Sequence, residues 1–219
     1  MMLCSRCSEK IKPIAVFDID GTMGDYHQHF LDFAKEYLGS NGWQDWWKYS
    51  GNQGFRDWFC EAFDIGHDVW YDIKLAYRQG AQKRSMPPFE GMIEVARCAD
   101  EWECEVWIAT TRPYLRLDNI DPDTRAWLFR WGVPYHGLVF DERKYHKLYG
   151  LVEPDRVIAA FEDLYDLYDE AVTLFGESVP FLVKTSWNRA HDRPNQGISG
   201  HARGHLRRNL VAWKEQHEG

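Results

Sequence analysis

The chain has 219 residues, a formal net charge of −8 and a charged fraction of 27%. This length suffices for one sizeable core, or for a core domain with a smaller inserted one. The acidic balance argues against a surface built for long nucleic acid, because such binding depends on neutralising phosphates. From residue 184 onward, however, seven lysines and arginines face three acids, so a contact with a polyanion is expected only in this tail.

No segment approaches the run of about 18 apolar residues that a membrane helix needs, and the N-terminal residues lack the apolar segment of a secretion signal. A cytoplasmic protein without membrane contact is therefore expected. Five cysteines, an odd number, fit a reducing compartment. Cys4 and Cys7 form a CxxC pair, which is either half of a zinc site, a redox pair or part of an ordinary N-terminal segment; without a second CxxC the last interpretation is favoured.

Residues 14–25, IAVFDIDGTMGD, combine a short apolar run with two acids, a glycine and a threonine. An apolar run bounded by turn residues predicts a strand that is buried on both faces. Ligands of open α/β sheets bind at the carboxyl ends of such strands, so Asp18 and Asp20 are expected at a sheet edge. A divalent cation such as Mg²⁺ would relieve the repulsion between the two carboxylates.

The DIDGT segment resembles the DxDGT signature of the haloacid dehalogenase (HAD) superfamily of phosphohydrolases. In that superfamily the first Asp attacks phosphorus and forms an aspartyl phosphate, while the second acts as general acid and base. The resemblance implies that Asp18 is the nucleophile and Asp20 the proton shuttle.

Three helices are predicted between residues 26 and 86, because apolar residues recur at helical spacing in segments 26–38, 55–63 and 69–77. At this position HAD nucleotidases and phosphoglycolate-type phosphatases carry a helical cap, which closes over a small substrate. The block is rich in aromatic residues, including Trp43, Trp46 and Trp47. Most of them are expected to form the core of the cap, and at least one to contact the substrate, for example by stacking on a base.

A second apolar strand, residues 105–109, ends at Thr110, Thr111 and Arg112. This resembles the second HAD motif, in which a hydroxyl holds a phosphoryl oxygen. Thr110 is preferred because it directly follows the apolar run, and Thr111 is the alternative. The spacing of hydroxyl and arginine also resembles the second motif of polynucleotide 3′-phosphatases, which implies that Arg112 assists phosphate binding.

A third and a fourth motif follow at the next two strands. The third is a lysine that neutralises the nucleophile, and Lys144 is preferred over Lys147 because it lies nearer the end of strand 137–140. The fourth is an acidic pair after strand 156–161. The resemblance implies that Asp163 is a Mg²⁺ ligand together with Asp18 and Asp20, the latter through its backbone carbonyl, with Glu162 as a further candidate.

Together the four motifs predict a doubly wound, mostly parallel Rossmann-like α/β sheet with a helical cap inserted after the first strand. Residues 1–24 and 87–185 are expected to form the catalytic core, residues 25–86 the cap, and residues 186–219 a basic tail in which 187–204 is loop and 206–213 a helix. The expected function is hydrolysis of a small phosphomonoester with Mg²⁺, first of all a nucleoside or deoxynucleoside monophosphate. The alternatives are a polynucleotide 3′-phosphatase acting on a nucleic-acid end and a non-catalytic phosphate-binding module.

Overall fold

The computed structural model describes residues 11–39, 54–112, 117–188 and 190–217. The CxxC pair of Cys4 and Cys7 lies outside these ranges. So do Trp43, Trp46 and Trp47, for which a role in the insertion was predicted.

The described residues form one parallel sheet with the strand order β3-β2-β1-β4-β5-β6. Its strands are β1 (Ile14–Phe17), β2 (Glu105–Thr110), β3 (Gly137–Phe140), β4 (Val157–Glu162), β5 (Pro180–Val183) and β6 (Gln196–Gly197). This is the order of doubly wound α/β proteins, in which the chain reverses direction across the sheet between β1 and β4. The predicted fold class is confirmed.

In the described ranges, eight α-helices surround or extend this sheet: α1 (Tyr26–Leu38), α2 (Phe55–Phe63), α3 (His67–Gln79), α4 (Glu90–Glu101), α5 (Ile120–Arg130), α6 (Lys144–Tyr149), α7 (Tyr165–Phe175) and α8 (Ser199–His217). None of the helices within the described ranges has the length and apolar character to cross a membrane. The helices α1 to α3 and the 3₁₀ helix Gln82–Arg84 belong to the segment between β1 and α4, and residues 25–86 are called the helical insertion below.

The central strands of the sheet are buried on both faces, which explains why they are short and mostly apolar. Alternate residues of β1 point to opposite sides: Ala15 and Phe17 pack with α4, α5 and α8, while Ile14 and Val16 pack with α6 and α7. Burial on both faces leaves the carboxyl edge of the sheet as the place where polar side chains gather.

The helical insertion leaves and rejoins the core through two chain segments that pair with each other. The backbone N–H of Asp25 donates to the carbonyl of Pro87 at 2.8 Å, and the N–H of Phe89 donates to the carbonyl of Met23 at 2.7 Å. Gly24 lies between them, and a Cβ there would be 2.1 Å from Cε of Met86. The insertion therefore begins and ends at one narrow, hydrogen-bonded crossing.

The C-terminal residues differ from the expectation. Segment 187–204 was predicted to be loop, but β6 adds to the sheet beside β5, and α8 already begins at Ser199. Leu206, Leu210 and Trp213 of α8 are buried in the core layer formed with α4. Tertiary packing of this apolar face outweighs the glycines and polar residues that favoured a loop.

Candidate active site

Lys144 joins two buried carboxylates at the carboxyl ends of β1 and β4. Its Nζ lies 2.6 Å from Oδ1 of Asp18 and 2.6 Å from Oε2 of Glu162. Lys144 is the first residue of α6, which follows β3 after three residues, so three strand ends bring these side chains together. All three are buried, and each charge is therefore balanced by its partners and not by water.

Glu162 uses both of its carboxylate oxygens. In addition to the ion pair with Lys144, Oε2 accepts a hydrogen bond from the hydroxyl of Tyr145 at 3.0 Å. Oε1 accepts the backbone N–H groups of Asp163 and Leu164 at 3.2 and 3.1 Å. Because its carboxylate is fixed by these contacts, Glu162 holds the ammonium of Lys144 beside Asp18.

Asp18, Glu162 and Asp163 form a group of three acids whose oxygens lie within 4.8 Å of one another. Burial raises the pKa of Asp18 to about 7, and the charges of Glu162 and Asp20 add to this effect against Lys144. Burial, Glu162 and Asp18 likewise raise the pKa of Asp163 well above its usual value. Three carboxylates and one lysine leave excess negative charge, and hard oxygen donors with such a charge fit Mg²⁺.

The glycine and threonine of the DIDGT segment position Asp163. Gly21 has a φ of +96°, and a Cβ at this residue would lie 2.1 Å from Oδ2 of Asp163. The hydroxyl of Thr22 donates to Oδ1 of Asp163 at 3.2 Å. A side chain at residue 21 would therefore displace the acid at the end of β4.

Asp20 stands apart from the three acids and is held by two cations. Arg112 donates from Nη2 to Oδ1 at 2.6 Å, and Lys83 contacts Oδ2. Burial alone would raise the pKa of Asp20, but Arg112 and Lys83 outweigh it and hold the pKa well below its usual range. Arg112 also donates to the hydroxyl of Thr124 at 2.9 Å, so its guanidinium bridges β2 and α5 to the loop after β1.

The remaining residues predicted from the sequence differ in burial and in whether they line the cavity above Asp18. Thr110 is the last residue of β2 and is buried, whereas Thr111 is exposed and lines the cavity above Asp18. Lys147 lies one turn beyond Lys144, outside the cavity, where its Nζ is 3.3 Å from the carbonyl oxygen of Phe140. Thus Lys144 is brought to Asp18, and Lys147 is not.

A cavity of about 150 Å³ lies above these groups, between the sheet edge and the helical insertion. The insertion contributes four polar or aromatic side chains besides His27: Tyr26, Lys74, Arg78 and Lys83. Lys83 is buried between the ring of Tyr26, at 4.6 Å, and the carboxylate of Asp20, and burial lowers its pKa to about 7. Sequence reasoning missed Lys83; its only signal was a Lys-Arg pair just before the prolines that close the insertion.

A larger cavity of about 420 Å³ adjoins the first and shares His27, Thr111 and Asp163 with it. Its walls carry rings from both parts of the chain: Phe55 of α2 in the insertion, and Tyr165, Trp187 and His191 of the core. Burial lowers the pKa of His27 to about 3, so this residue is a neutral, largely apolar wall at physiological pH.

No protein-family model and no curated protein matches the sequence. The structure, however, is similar to solved structures over nearly its whole length. A HAD family hydrolase from Deinococcus radiodurans, determined with bound phosphate and sodium, superposes with a TM-score of 0.58 at 14% identity and covers 92% of this chain and 96% of its own. The chain has the HAD-like fold.

Two further HAD-like structures are related at a similar level. A β-phosphoglucomutase-type protein from Thermotoga maritima gives a TM-score of 0.54 at 16% identity, with 93% of this chain and 99% of that chain covered. The CbbY protein of Rhodobacter sphaeroides, in complex with xylulose 1,5-bisphosphate, gives 0.51 at 13% identity, with 85% and 94% covered. At these identities the comparisons establish the fold, and the activity is argued from the site.

Proposed function

We propose that this chain is a Mg²⁺-dependent phosphomonoesterase that forms an aspartyl phosphate on Asp18. The observation that carries the proposal is the contact of Lys144 with Asp18, held by Glu162, on the floor of a small cavity beside Asp163. A carboxylate nucleophile and a phosphate dianion repel each other, and a fixed ammonium between them lowers that repulsion. The HAD-like fold and the phosphate bound by a structural neighbour support the same activity.

In the proposed reaction Asp18 attacks phosphorus. Asp20, once the phosphate draws Arg112 and Lys83 away from its carboxylate and lets its pKa rise, protonates the leaving oxygen and then deprotonates the water that cleaves the aspartyl phosphate. Asp18, the backbone carbonyl of Asp20 and Asp163 would hold Mg²⁺, with Glu162 adjacent, and the ion would polarise a phosphoryl oxygen. Thr110, or Thr111 at the cavity wall, orients the phosphoryl group.

Arg112 and Lys83 connect substrate binding to the acid. In the described arrangement both cations contact Asp20, and a phosphate dianion entering the cavity competes with this carboxylate for them. We propose that they transfer part of their contact to the phosphate, which makes Arg112 and Lys83 phosphate-binding residues.

For the organization of the chain, we propose that residues 1–24 and 87–185 form the catalytic core and that the helical insertion, residues 25–86, acts as its cap. The insertion already forms one wall of the cavity above Asp18, and a cap that closes a small cavity excludes water from the phosphoryl group. A small cavity walled on one side by the insertion also favours a small substrate over the interior of a polymer.

The favoured substrate class is a nucleoside or deoxynucleoside monophosphate. The adjoining cavity of about 420 Å³ opens beside Asp163 and presents the rings of Phe55, Tyr165 and Trp187, on which a base can stack. Sugar phosphates are the second candidate, since two neighbours are described as a β-phosphoglucomutase-type protein and as a complex with a sugar bisphosphate.

The test is release of phosphate by the full-length protein with Mg²⁺ from p-nitrophenyl phosphate, a panel of nucleoside monophosphates, sugar phosphates and a 3′-phosphorylated oligonucleotide. Asp18→Asn and addition of EDTA should each abolish turnover. Unchanged hydrolysis of p-nitrophenyl phosphate in either case would refute the mechanism, and preference for the oligonucleotide would assign a polynucleotide 3′-phosphatase instead.

A further inference from the structure

Two cations of the helical insertion reach the cavity above Asp18 without an assigned task. Lys74 and Arg78 are one turn apart on α3, both are half-buried, and both line the cavity. Within the described part of the chain, neither side chain forms an ion pair or a hydrogen bond through its charged group. The ammonium of Lys74 has a ring contact only, 5.5 Å from the centroid of Trp70.

Two like charges at this spacing destabilise a helix unless an anion lies between them. Burial is the main reason that the pKa of Lys74 falls to about 8; the charge of Arg78 lowers it further, and the charge of Asp20 acts in the opposite direction. Asn119 donates to the backbone carbonyl of Arg78 at 2.7 Å and ties the end of α3 to the start of α5, so the pair is fixed against the core.

The balance of cationic and acidic side chains around the cavity indicates the kind of group that Lys74 and Arg78 can bind. Among the described residues, its lining holds five cationic side chains and four carboxylates: Lys74, Arg78, Lys83, Arg112 and Lys144, and Asp18, Asp20, Glu162 and Asp163. All four carboxylates belong to the ion pairs at the sheet edge or to the proposed Mg²⁺ site. With a divalent cation and the scissile phosphate dianion bound, these groups together carry one net positive charge, and Lys74 and Arg78 are the two cations among them that form no ion pair within the described residues.

We infer that Lys74 and Arg78 bind a second anionic group of the substrate, a phosphate or a carboxylate, separate from the phosphate that is cleaved. The inference rests on the proposed phosphatase function and names its preferred substrates as phosphomonoesters with two anionic groups. A guanidinium and an ammonium one turn apart on the insertion give such a group charge-assisted hydrogen bonds from the side opposite Asp18.

The test compares substrate pairs that differ only in the second anion: thymidine 5′-monophosphate with thymidine 3′,5′-bisphosphate, glucose 6-phosphate with glucose 1,6-bisphosphate, and glycerol 1-phosphate with 3-phosphoglycerate. For the wild-type protein with Mg²⁺, kcat/KM is expected to be about tenfold or more higher for the doubly anionic member of at least one pair. The first two pairs report a phosphate and the third a carboxylate.

Lys74→Met and Arg78→Met should each bring this ratio close to one and leave the singly anionic substrates nearly unchanged. Lys35→Met is the matched control, because Lys35 is a cation of the insertion that pairs with Asp32 on α1 and does not line the cavity; it should keep the wild-type ratio. A wild-type ratio near one for all pairs would overturn the inference. So would an equal loss on every substrate, p-nitrophenyl phosphate included, because the two cations would then bind the scissile phosphate.

A binding measurement separates this inference from the proposed function. Asp18→Asn protein is titrated calorimetrically with both members of each pair, so that affinity is measured without turnover. Lack of hydrolysis by the wild type would refute the phosphatase, while tighter binding of the doubly anionic member, lost in Asp18→Asn/Arg78→Met, would still support the second anion site. Equal affinities for both members would refute that site whether or not the wild type is active.

Discussion

Replacing Glu162 by Gln tests whether this residue holds Lys144 at the nucleophile. The carboxylate accepts from Lys144 and Tyr145 on one oxygen and from two backbone N–H groups on the other. A glutamine has a single acceptor oxygen, and its NH₂ group would face donors wherever it is placed. Glu162→Gln therefore leaves one set of buried donors without an acceptor.

The cost follows from the burial of these groups. An unsatisfied buried donor costs about 1–3 kcal/mol, and more when it is charged, while Lys144 keeps its contact with Asp18. We expect the free energy of unfolding to fall by about 3 kcal/mol. With Asp18 as its remaining carboxylate partner, Lys144 is held less firmly against the incoming phosphate, and kcat/KM should fall about 100-fold.

Urea denaturation followed by tryptophan fluorescence measures the first effect, and hydrolysis of p-nitrophenyl phosphate the second. Glu153→Gln is the control, because Glu153 is an exposed carboxylate that pairs with Arg156, and its replacement should leave the stability close to that of the wild type. Wild-type stability and wild-type turnover in Glu162→Gln would show that Glu162 does not position Lys144.

Three other changes test separate contacts. Gly21→Ala places a Cβ 2.1 Å from Oδ2 of Asp163 at a φ of +96°; the Mg²⁺ concentration for half-maximal activity should rise about tenfold or more, and an unchanged Mg²⁺ titration would contradict the site. Burial lowers the pKa of His27 from 6.5 to about 3, so the unfolded state binds a proton that the folded state excludes. The free energy of unfolding should therefore be highest above pH 6.5 and fall by up to about 1.4 kcal/mol per pH unit as the pH decreases. His27→Gln should remove this pH dependence in denaturant titrations between about pH 5 and 7. Arg84 pairs with the fully buried Asp123; Arg84→Met should cost about 3 kcal/mol in urea denaturation, and adding Asp123→Asn should restore most of it, whereas equal stability of wild type and Arg84→Met would refute the buried pair.

The fold class could be predicted from the sequence because strands and helices leave local patterns of apolar residues. β1 and β3 are short apolar runs with polar neighbours, and the helices of the insertion repeat their apolar residues at helical spacing. The prediction of a loop for residues 187–204 was wrong because the helix that begins at Ser199 is stabilised by packing of Leu206 and Trp213 on distant elements. No local sequence pattern reveals such packing.

Some residues of the candidate site could likewise be predicted from local patterns, and others could not. Residues that end apolar strands, such as Asp18 and Asp163, were found because parallel strands bring their carboxyl ends to one edge. Lys83 and Arg78 belong to the helical insertion, and their position depends on how that insertion folds back over the sheet. The ion pair of Arg112 with Asp20 joins residues far apart in the sequence, so the sequence suggested a phosphate contact for Arg112 but not its carboxylate partner.

Trp187 makes the insertion dependent on a loop of the core. Its indole stacks on His27 at 5.0 Å and meets the ring of Phe55 edge-on at 5.0 Å, so a residue that follows β5 completes the aromatic cluster of the insertion. If residues 25–86 alone were grafted onto a related protein to exchange specificity, that aromatic cluster would lack Trp187 and contain a packing defect. A chimera that keeps both stability and selectivity must carry the 185–188 loop as well, because these two segments, distant in the sequence, form one packing unit.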